Sequence, residues 1–295
     1  MSKNSLVTEL KDAYNKSREI FTDARNKNNN LSDINSLNQN QHIAHGLAWY
    51  ATYVESLLQL SNWIEYLETN NRLTDLEVGI AGVGAGEYCL QIMHGIPMSQ
   101  NETIRPEELG IPNEKIEEFK KITKSLTQRS TSFEKNRVMS ILQQSIESGI
   151  QPDDGLDETY QEIKNQFKRF VNDEITPHAH EWHMNDDYIP LEIIKKMSEL
   201  GVFGLTIPEE YGGLGLEKKA MCIVSEELSR GWVGVGSLGT RSEIAAELIL
   251  IGGTEEQKQK YLSKISSGEI FPTAVFSEPD IGSDLAHLKT RGNAK

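Results

Sequence analysis

The sequence predicts a mainly α-helical protein that turns to β-structure only near its end. Three observations carry this. Ile43, Leu47, Tyr50, Val54, Leu57, Ser61 and Ile64 recur at alternating spacings of three and four, so they share one helical stripe, with Ser61 its weak member. Helical patterns of the same kind return along the chain, several with capping residues at their ends. Only Phe271 to Phe276 (Phe-Pro-Thr-Ala-Val-Phe) is short, β-branched and aromatic in the manner of a strand.

Taken in order, helical patterns fit Val7 to Arg25, Ile43 to Ile64, Leu76 to Met93, Glu114 to Thr127 and Phe133 to Ile146, which together read as a bundle. Asn28 to Asn30 and Asn38 to Gln41 are loop-like in composition. Gly149-Ile-Gln-Pro152-Asp-Asp-Gly155 joins Gly, Pro and adjacent acids as a hinge or linker would, and the main boundary is placed there. Beyond it, Tyr160, Ile163, Phe167 and Phe170 form a stripe ending before Pro177. Pro190 and Gly201 bracket the next helix. Thr254 and Gln257 form a capping box that opens Glu255 to Ile265, closed by Gly268. Nineteen residues follow Phe276, too few to complete a sheet built of strands of about 5–6 residues, so the chain is expected to be a fragment.

Composition excludes several classes of function. With 44 acidic against 30 basic side chains in 295 residues the formal charge is −14, which argues against a nucleic-acid partner. The two cysteines, Cys89 and Cys222, lie far apart without metal-ligand spacing, which excludes a disulfide framework and a zinc finger. Both fall in apolar helical patterns and are expected to be buried, inert thiols. Met1 to Lys27 has no continuous apolar region, and the apolar stretch Ile43 to Ile64 is interrupted by Glu55, Gln59 and Asn62. A cytoplasmic protein without a membrane span is expected, since spanning takes about 20 mostly apolar residues.

The most informative segment for chemistry is Ser277-Glu278-Pro279-Asp280-Ile281-Gly282-Ser283-Asp284. Pro279 fixes a turn, Gly282 lets backbone approach a ligand, and Ser277 and Ser283 bring hydroxyls to its edge. Backbone N–H groups in such a turn can form an anion-binding nest. By spacing alone, a polar-tipped turn with no ligand fits equally.

This segment resembles the flavin-binding signature of the acyl-CoA dehydrogenase family, Thr-Glu-Pro-x-x-Gly-Ser-Asp, with Ser277 where Thr is usual. Upstream, Pro208-Glu-Glu-Tyr-Gly-Gly213, Ser225-Glu-Glu-Leu-Ser229, and Gly253-Thr-Glu-Glu-Gln-Lys258 with Tyr261-Leu262 and Ser267-Gly-Glu269 are similar to that family's landmarks, in the same order. His45-Gly-Leu-Ala-Trp-Tyr-Ala-Thr-Tyr, His94-Gly-Ile-Pro-Met-Ser-Gln100 and Gly231 to Glu247 resemble a branch that carries an additional N-terminal helical domain and oxidises methylsuccinyl-CoA to mesaconyl-CoA. The resemblance implies an N-terminal helical extension over 1–150, an acyl-CoA-dehydrogenase-like α-domain over 151–270, and the start of a β-barrel domain over 271–295. It also implies FAD as cofactor, an acyl-CoA substrate, an electron-transfer flavoprotein as acceptor and a homo-oligomer. Ala274, Val275, Phe276, Ser277, Glu278, Pro279, Asp280, Ile281, Gly282 and Ser283 become the flavin-contacting turn, with Ser283 also near acyl-CoA. The family's catalytic glutamate is expected outside these residues, so no catalytic residue is assigned. Another short branched acyl-CoA as substrate, transfer of electrons to oxygen, and a non-catalytic helical binding module remain the alternatives.

Other features are weighed singly. Arg241 follows a Gly-rich stretch read as a turn, and its guanidinium could hold the free carboxylate of methylsuccinyl-CoA; a solvated surface arginine is the alternative. His178, His180 and His183 are close in sequence, but on a helix His178 and His180 point about 200° apart, so no metal site is expected. Gly79, Gly82, Gly84 and Gly86 lack the last glycine of a dinucleotide loop, where Glu87 stands, and fit close helix packing instead. Lys289 and Arg291 are read either as charges near CoA phosphates or as solvated strand positions.

Overall fold

The computed structural model describes residues 3–273 and 275–291. The chain forms two compact units, Met1–Gly155 and Leu156–Lys295, and is mainly α-helical throughout.

The first unit is built on α1 (Lys3–Lys27), the short α2 (Ile34–Gln39), α3 (Gln41–Thr69) and α4 (Asp75–His94). Leu6, Leu10, Ala13, Ser17, Ile20 and Ala24 bury one face of α1 against the stripe of α3, where Leu57, Ile64 and Leu67 are fully buried. Burial of such aliphatic side chains, at about 1.5–3 kcal/mol each, drives the assembly. Thr74 and Glu77 form a capping box at the start of α4. A minimal antiparallel pair, β1 (Ile96–Pro97) and β2 (Thr103–Ile104), leads to α5 (Asn113–Ile122), α6 (Lys124–Gln128) and α7 (Ser132–Glu147). The glycines of α4 serve contact: a Cβ on Gly86 would stand 2.5 Å from the Leu126 carbonyl oxygen, and one on Gly79 would stand 2.7 Å from Val138. They let α6 and α7 approach closely, which is the packing reading of the glycine series.

In the second unit, α8 (Glu158–Phe170) starts from an Asp157 cap whose carboxylate accepts from the Tyr160 N–H at 3.0 Å. The helix does not stop before Pro177. It passes through a π-helical turn at Val171–Ile175 into α9 (Thr176–Met184). The change of register puts Pro177 in a first turn, where its missing N–H is tolerated. Then come α10 (Leu191–Glu199), with Gly201 just beyond it at φ 78°, α11 (Lys218–Gly231), α12 (Val233–Gly252) and α13 (Glu255–Ser266). The Thr254–Gln257 capping box forms as expected, and Gly268 takes φ 72° beyond the end of α13. Phe167, Val171, Met197, Phe203, Val224 and Val235 centre one core cluster; Ile207, Tyr211, Ala246, Leu262 and Ile265 form another.

Several local expectations are corrected. The segment Glu114 to Thr127 is two helices, because buried Thr123 bonds its hydroxyl back to the Phe119 carbonyl at 2.8 Å and the backbone breaks there. Asn38 and Gln39 end α2 and Gln41 starts α3, so the Asn/Gln tract is mostly helical, helped by the Asp33 cap on the Ser36 N–H. Gly234, Gly236 and Gly239, just before Arg241, lie inside α12, and the chain turns earlier, at Trp232 between α11 and α12; Gly239 meets Val202 at 3.0 Å from its virtual Cβ, and packing overrides glycine's poor helix propensity. Cys222 is exposed, on the side of α11 away from Ala220, Ile223, Val224 and Glu227. The described residues of Phe271 to Phe276 are neither helix nor strand, and Lys289 and Arg291 are likewise irregular. A strand needs a neighbour for its backbone groups, and none lies beside this segment among the described residues.

Candidate functional site

The turn singled out in the sequence is a closed structural object. The Glu278 N–H donates to the Ile281 carbonyl at 2.9 Å, and the Ile281 N–H returns to the Glu278 carbonyl at 3.1 Å, so Pro279 and Asp280 sit at the apex. Ile281 is the single buried side chain between Val275 and Ser283 and anchors the turn, while Ser277, Pro279, Asp280, Gly282 and Ser283 are exposed. Val275 and Phe276 are exposed as well, and Ala274 lies outside the described residues.

Two observations bear on whether this rim fits a phosphate-bearing cofactor. A Cβ on Gly282 would meet nothing within 4 Å, so its backbone is open to approach. Among the described residues, no hydrogen bond uses the N–H of Gly282 or Ser283 or the hydroxyls of Ser277 and Ser283. Carboxylates nearby would oppose an anion, but two of them are committed elsewhere. Glu278 accepts from the N–H groups of Lys289 and Thr290 at 3.0 and 2.7 Å and from the Thr290 hydroxyl, and these donors hold its carboxyl below the usual range. Asp284 meets His287 at 2.6 Å. Hydroxyls and unengaged N–H groups on an open rim are the donor set an anionic cofactor needs, so the residues fit.

The Pro208–Gly213 motif folds into a tight loop. Gly212 and Gly215 take φ 82° and 60°, and the Leu214 and Leu216 N–H groups donate to the carbonyls of Gly204 and Leu205 at 2.8 Å each. The Tyr211 hydroxyl donates to Glu255 at 3.0 Å, which ties this loop to the first turn of α13. Two landmarks far apart in sequence are thus in contact.

Arg241 projects from the middle of α12, exposed and without an ion pair among the described residues. The acidic neighbours on that helix are already engaged: Glu243 and Glu247 both pair with Lys218, and Glu243 also accepts from Thr206. One turn after Arg241, an apolar cleft of about 470 Å³ opens between α12 and α13, lined by Ala245, Leu248, Ile249, Tyr261, Ile270 and Pro272. Sequence reading missed this cleft, although the run Leu248 to Ile251 on an otherwise apolar α12 was the available signal. It placed Glu278 in the flavin-contacting turn but not the partners of its carboxylate, which are eleven and twelve residues away and leave no local pattern.

Other candidates separate from this region in chemistry. His178, His180 and His183 are exposed on α9, with His178 against Trp182 at 5.4 Å between ring centroids. No group of three or more His, Cys, Asp or Glu is placed to hold a metal among the described residues. Burial pushes the Cys89 thiol up to about 12, so it is not a nucleophile at neutral pH. No described helix is long and apolar enough to cross a membrane.

Comparison with known proteins follows the same division of the chain. The family model of the acyl-CoA dehydrogenase N-terminal domain matches residues 157–269. The (2S)-methylsuccinyl-CoA dehydrogenase of Cereibacter sphaeroides is 47% identical over 296 residues, covering 97% of this chain and 53% of that protein. Mitochondrial isovaleryl-CoA dehydrogenase of Solanum tuberosum is 38% identical over 140 residues, covering 46% of this chain and 34% of that protein. The first likeness therefore extends through the N-terminal helical unit, whereas the second spans about half of the chain. A solved glutaryl-CoA dehydrogenase of Mycobacterium smegmatis in complex with FADH2 is 27% identical over 46% of this chain and 35% of that chain, with a TM-score of 0.43. This chain spans about half the length of the first of these relatives and about a third of the second. Residues 157–269, with the motif order, loop and caps described above, match the N-terminal domain of the acyl-CoA dehydrogenase family.

Proposed function

We propose that this chain supplies the N-terminal part of an FAD-dependent dehydrogenase that oxidises methylsuccinyl-CoA to mesaconyl-CoA in the cytoplasm. It would act as a homo-oligomer and pass electrons to an electron-transfer flavoprotein. The observation that carries the reading is the open, donor-rich rim at Ser277–Ser283, directly after a family α-domain, in a chain whose 47% likeness to a methylsuccinyl-CoA dehydrogenase includes the N-terminal unit.

When bound, FAD would accept the hydride removed from the β-carbon of the thioester. The chain's own residues bind and orient. Ser277 presents its hydroxyl toward the ring system, and Gly282 and Ser283 offer N–H groups and a hydroxyl to the pyrophosphate oxygens. Ser283 lies near the acyl-CoA. Arg241 holds the free carboxylate of the substrate, the feature that separates methylsuccinyl-CoA from isovaleryl-CoA. As the α-proton leaves, enolate charge grows on the thioester oxygen and requires fixed donors. None of residues 1–295 is assigned as the base, and these residues alone are expected to show no turnover.

The test uses the full-length protein. It should show flavin absorbance as purified and bleach anaerobically with methylsuccinyl-CoA, with isovaleryl-CoA far less effective. Turnover should depend on electron-transfer flavoprotein and not on oxygen. Absence of flavin after reconstitution with FAD removes the redox reading in favour of a binding module, and faster bleaching by isovaleryl-CoA reassigns the substrate.

A further inference from the structure

We infer that Glu278 is a positioning residue that clasps the cofactor-facing loop into its binding shape before any ligand arrives; this rests on the flavin reading of the rim. One residue closes the loop twice. Its backbone pairs with Ile281 in both directions at 2.9 and 3.1 Å and fixes the Pro279–Asp280 apex. Its side chain reaches across to the returning strand of chain, where it accepts from the Lys289 N–H at 3.0 Å, the Thr290 N–H at 2.7 Å and the Thr290 hydroxyl. Residues 278 to 290 therefore form a ring of backbone whose two ends are held by one carboxylate. Within it, Asp284 and His287 meet at 2.6 Å over the turn Leu285–His287.

Two consequences follow from the chemistry. Most side chains of this segment are exposed, so apolar burial contributes little beyond Ile281, and the Glu278 bonds do most of the ordering. A loop ordered in advance loses less conformational freedom when a ligand binds. The carboxylate also has about four lone-pair sites and meets three donors on the side of residues 289 and 290, so its charge is engaged away from the open Gly282–Ser283 rim. Left unclasped, the same carboxylate would be free to swing toward an incoming phosphate and oppose it.

The test is FAD binding to the apo form of the full-length protein, followed by quenching of flavin fluorescence, with Glu278→Ala, Glu278→Gln and Thr290→Val. Glu278→Ala should weaken FAD by about tenfold or more. Glu278→Gln should fall between it and wild type, because Gln keeps one acceptor for Thr290 but can turn an NH2 group against the Lys289 N–H. Thr290→Val removes one donor and should show a smaller loss in the same direction. Amide hydrogen exchange at Lys289 and Thr290 should speed up in Glu278→Ala while the thermal midpoint of the apoprotein stays near wild type, which separates local positioning from general destabilisation. Equal FAD affinity in Glu278→Ala and wild type overturns the inference with the flavin reading intact. A wild type that binds no FAD overturns the flavin reading itself, and the inference with it.

Discussion

Arg72 and Asp153 form a two-pronged ion pair across 81 residues, Nε to Oδ2 at 2.7 Å and Nη2 to Oδ1 at 2.5 Å. The Gly149–Gly155 tract has the composition of a hinge or linker, yet its second half is strapped to the first unit. The Trp63 indole donates to the Asp153 carbonyl at 3.0 Å, and Asp153 offers its N–H to Glu77 at 3.0 Å. Arg72→Ala is expected to cost about 1–2 kcal/mol, since the pair is charge-assisted but partly exposed. Limited proteolysis should cut the 149–155 tract faster in the variant; equal cleavage rates would show that the strap holds nothing.

Glu77 gives this strap a pH dependence. Burial pushes its carboxyl up, but the Thr74 hydroxyl and the N–H groups of Asp153, Glu77 and Thr74 outweigh that and hold it below its ordinary 4.5. A carboxyl depressed in the folded state contributes stability above its unfolded value, and that contribution is lost as pH falls through the folded value. Unfolding midpoints measured from about pH 7 to about pH 3 should therefore fall more steeply in wild type than in Glu77→Gln, which at neutral pH should already be weaker by about 1–3 kcal/mol. Parallel curves would refute the assignment.

Ser61 occupies a core position of α3 at 1% exposure, and its hydroxyl has no hydrogen-bond partner among the described residues. Ser61→Ala removes a desolvated hydroxyl and should be neutral or stabilising by about 1 kcal/mol. Leu57→Ala, one turn earlier, should cost about 2–5 kcal/mol by opening a cavity. Urea unfolding of both variants checks the contrast, and a clear loss in Ser61→Ala would mean that its hydroxyl is satisfied.

Gly86 tests whether the α4 glycines serve packing. Alanine is the better helix former by about 1 kcal/mol, yet its Cβ would press on the Leu126 carbonyl and on Ser130. Gly86→Ala is expected to destabilise by about 1–3 kcal/mol net, because overpacking against backbone is not relieved by a rotamer change. A raised thermal midpoint would contradict the contact.

Arg241→Ala in the full-length enzyme should raise KM for methylsuccinyl-CoA about tenfold or more, as expected for loss of a charge-assisted anchor on the carboxylate that the β-carbon bears. An unchanged KM removes the residue from the substrate site.

The sequence by itself determined what depends on neighbours along the chain. The α3 stripe, the Thr254 box, the Gly201 and Gly268 stops and the order of family motifs were all legible, because helix faces repeat every three to four residues and caps act within one turn. Tertiary structure decided whatever depends on partners remote in sequence. Gly234, Gly236 and Gly239 have a turn-like composition but lie inside α12, because close contact repays their entropy, and the chain turns earlier, at Trp232 between α11 and α12. Cys222 sits within the apolar run Ala220 to Val224 yet faces outward, because the helical turn puts it opposite the buried Ala220, Ile223, Val224 and Glu227 of α11. The clasp of Glu278 on Thr290 and the bond from Tyr211 to Glu255 have no periodicity to betray them: hydrogen bonds between distant residues leave no local signal until the fold has brought donor and acceptor together.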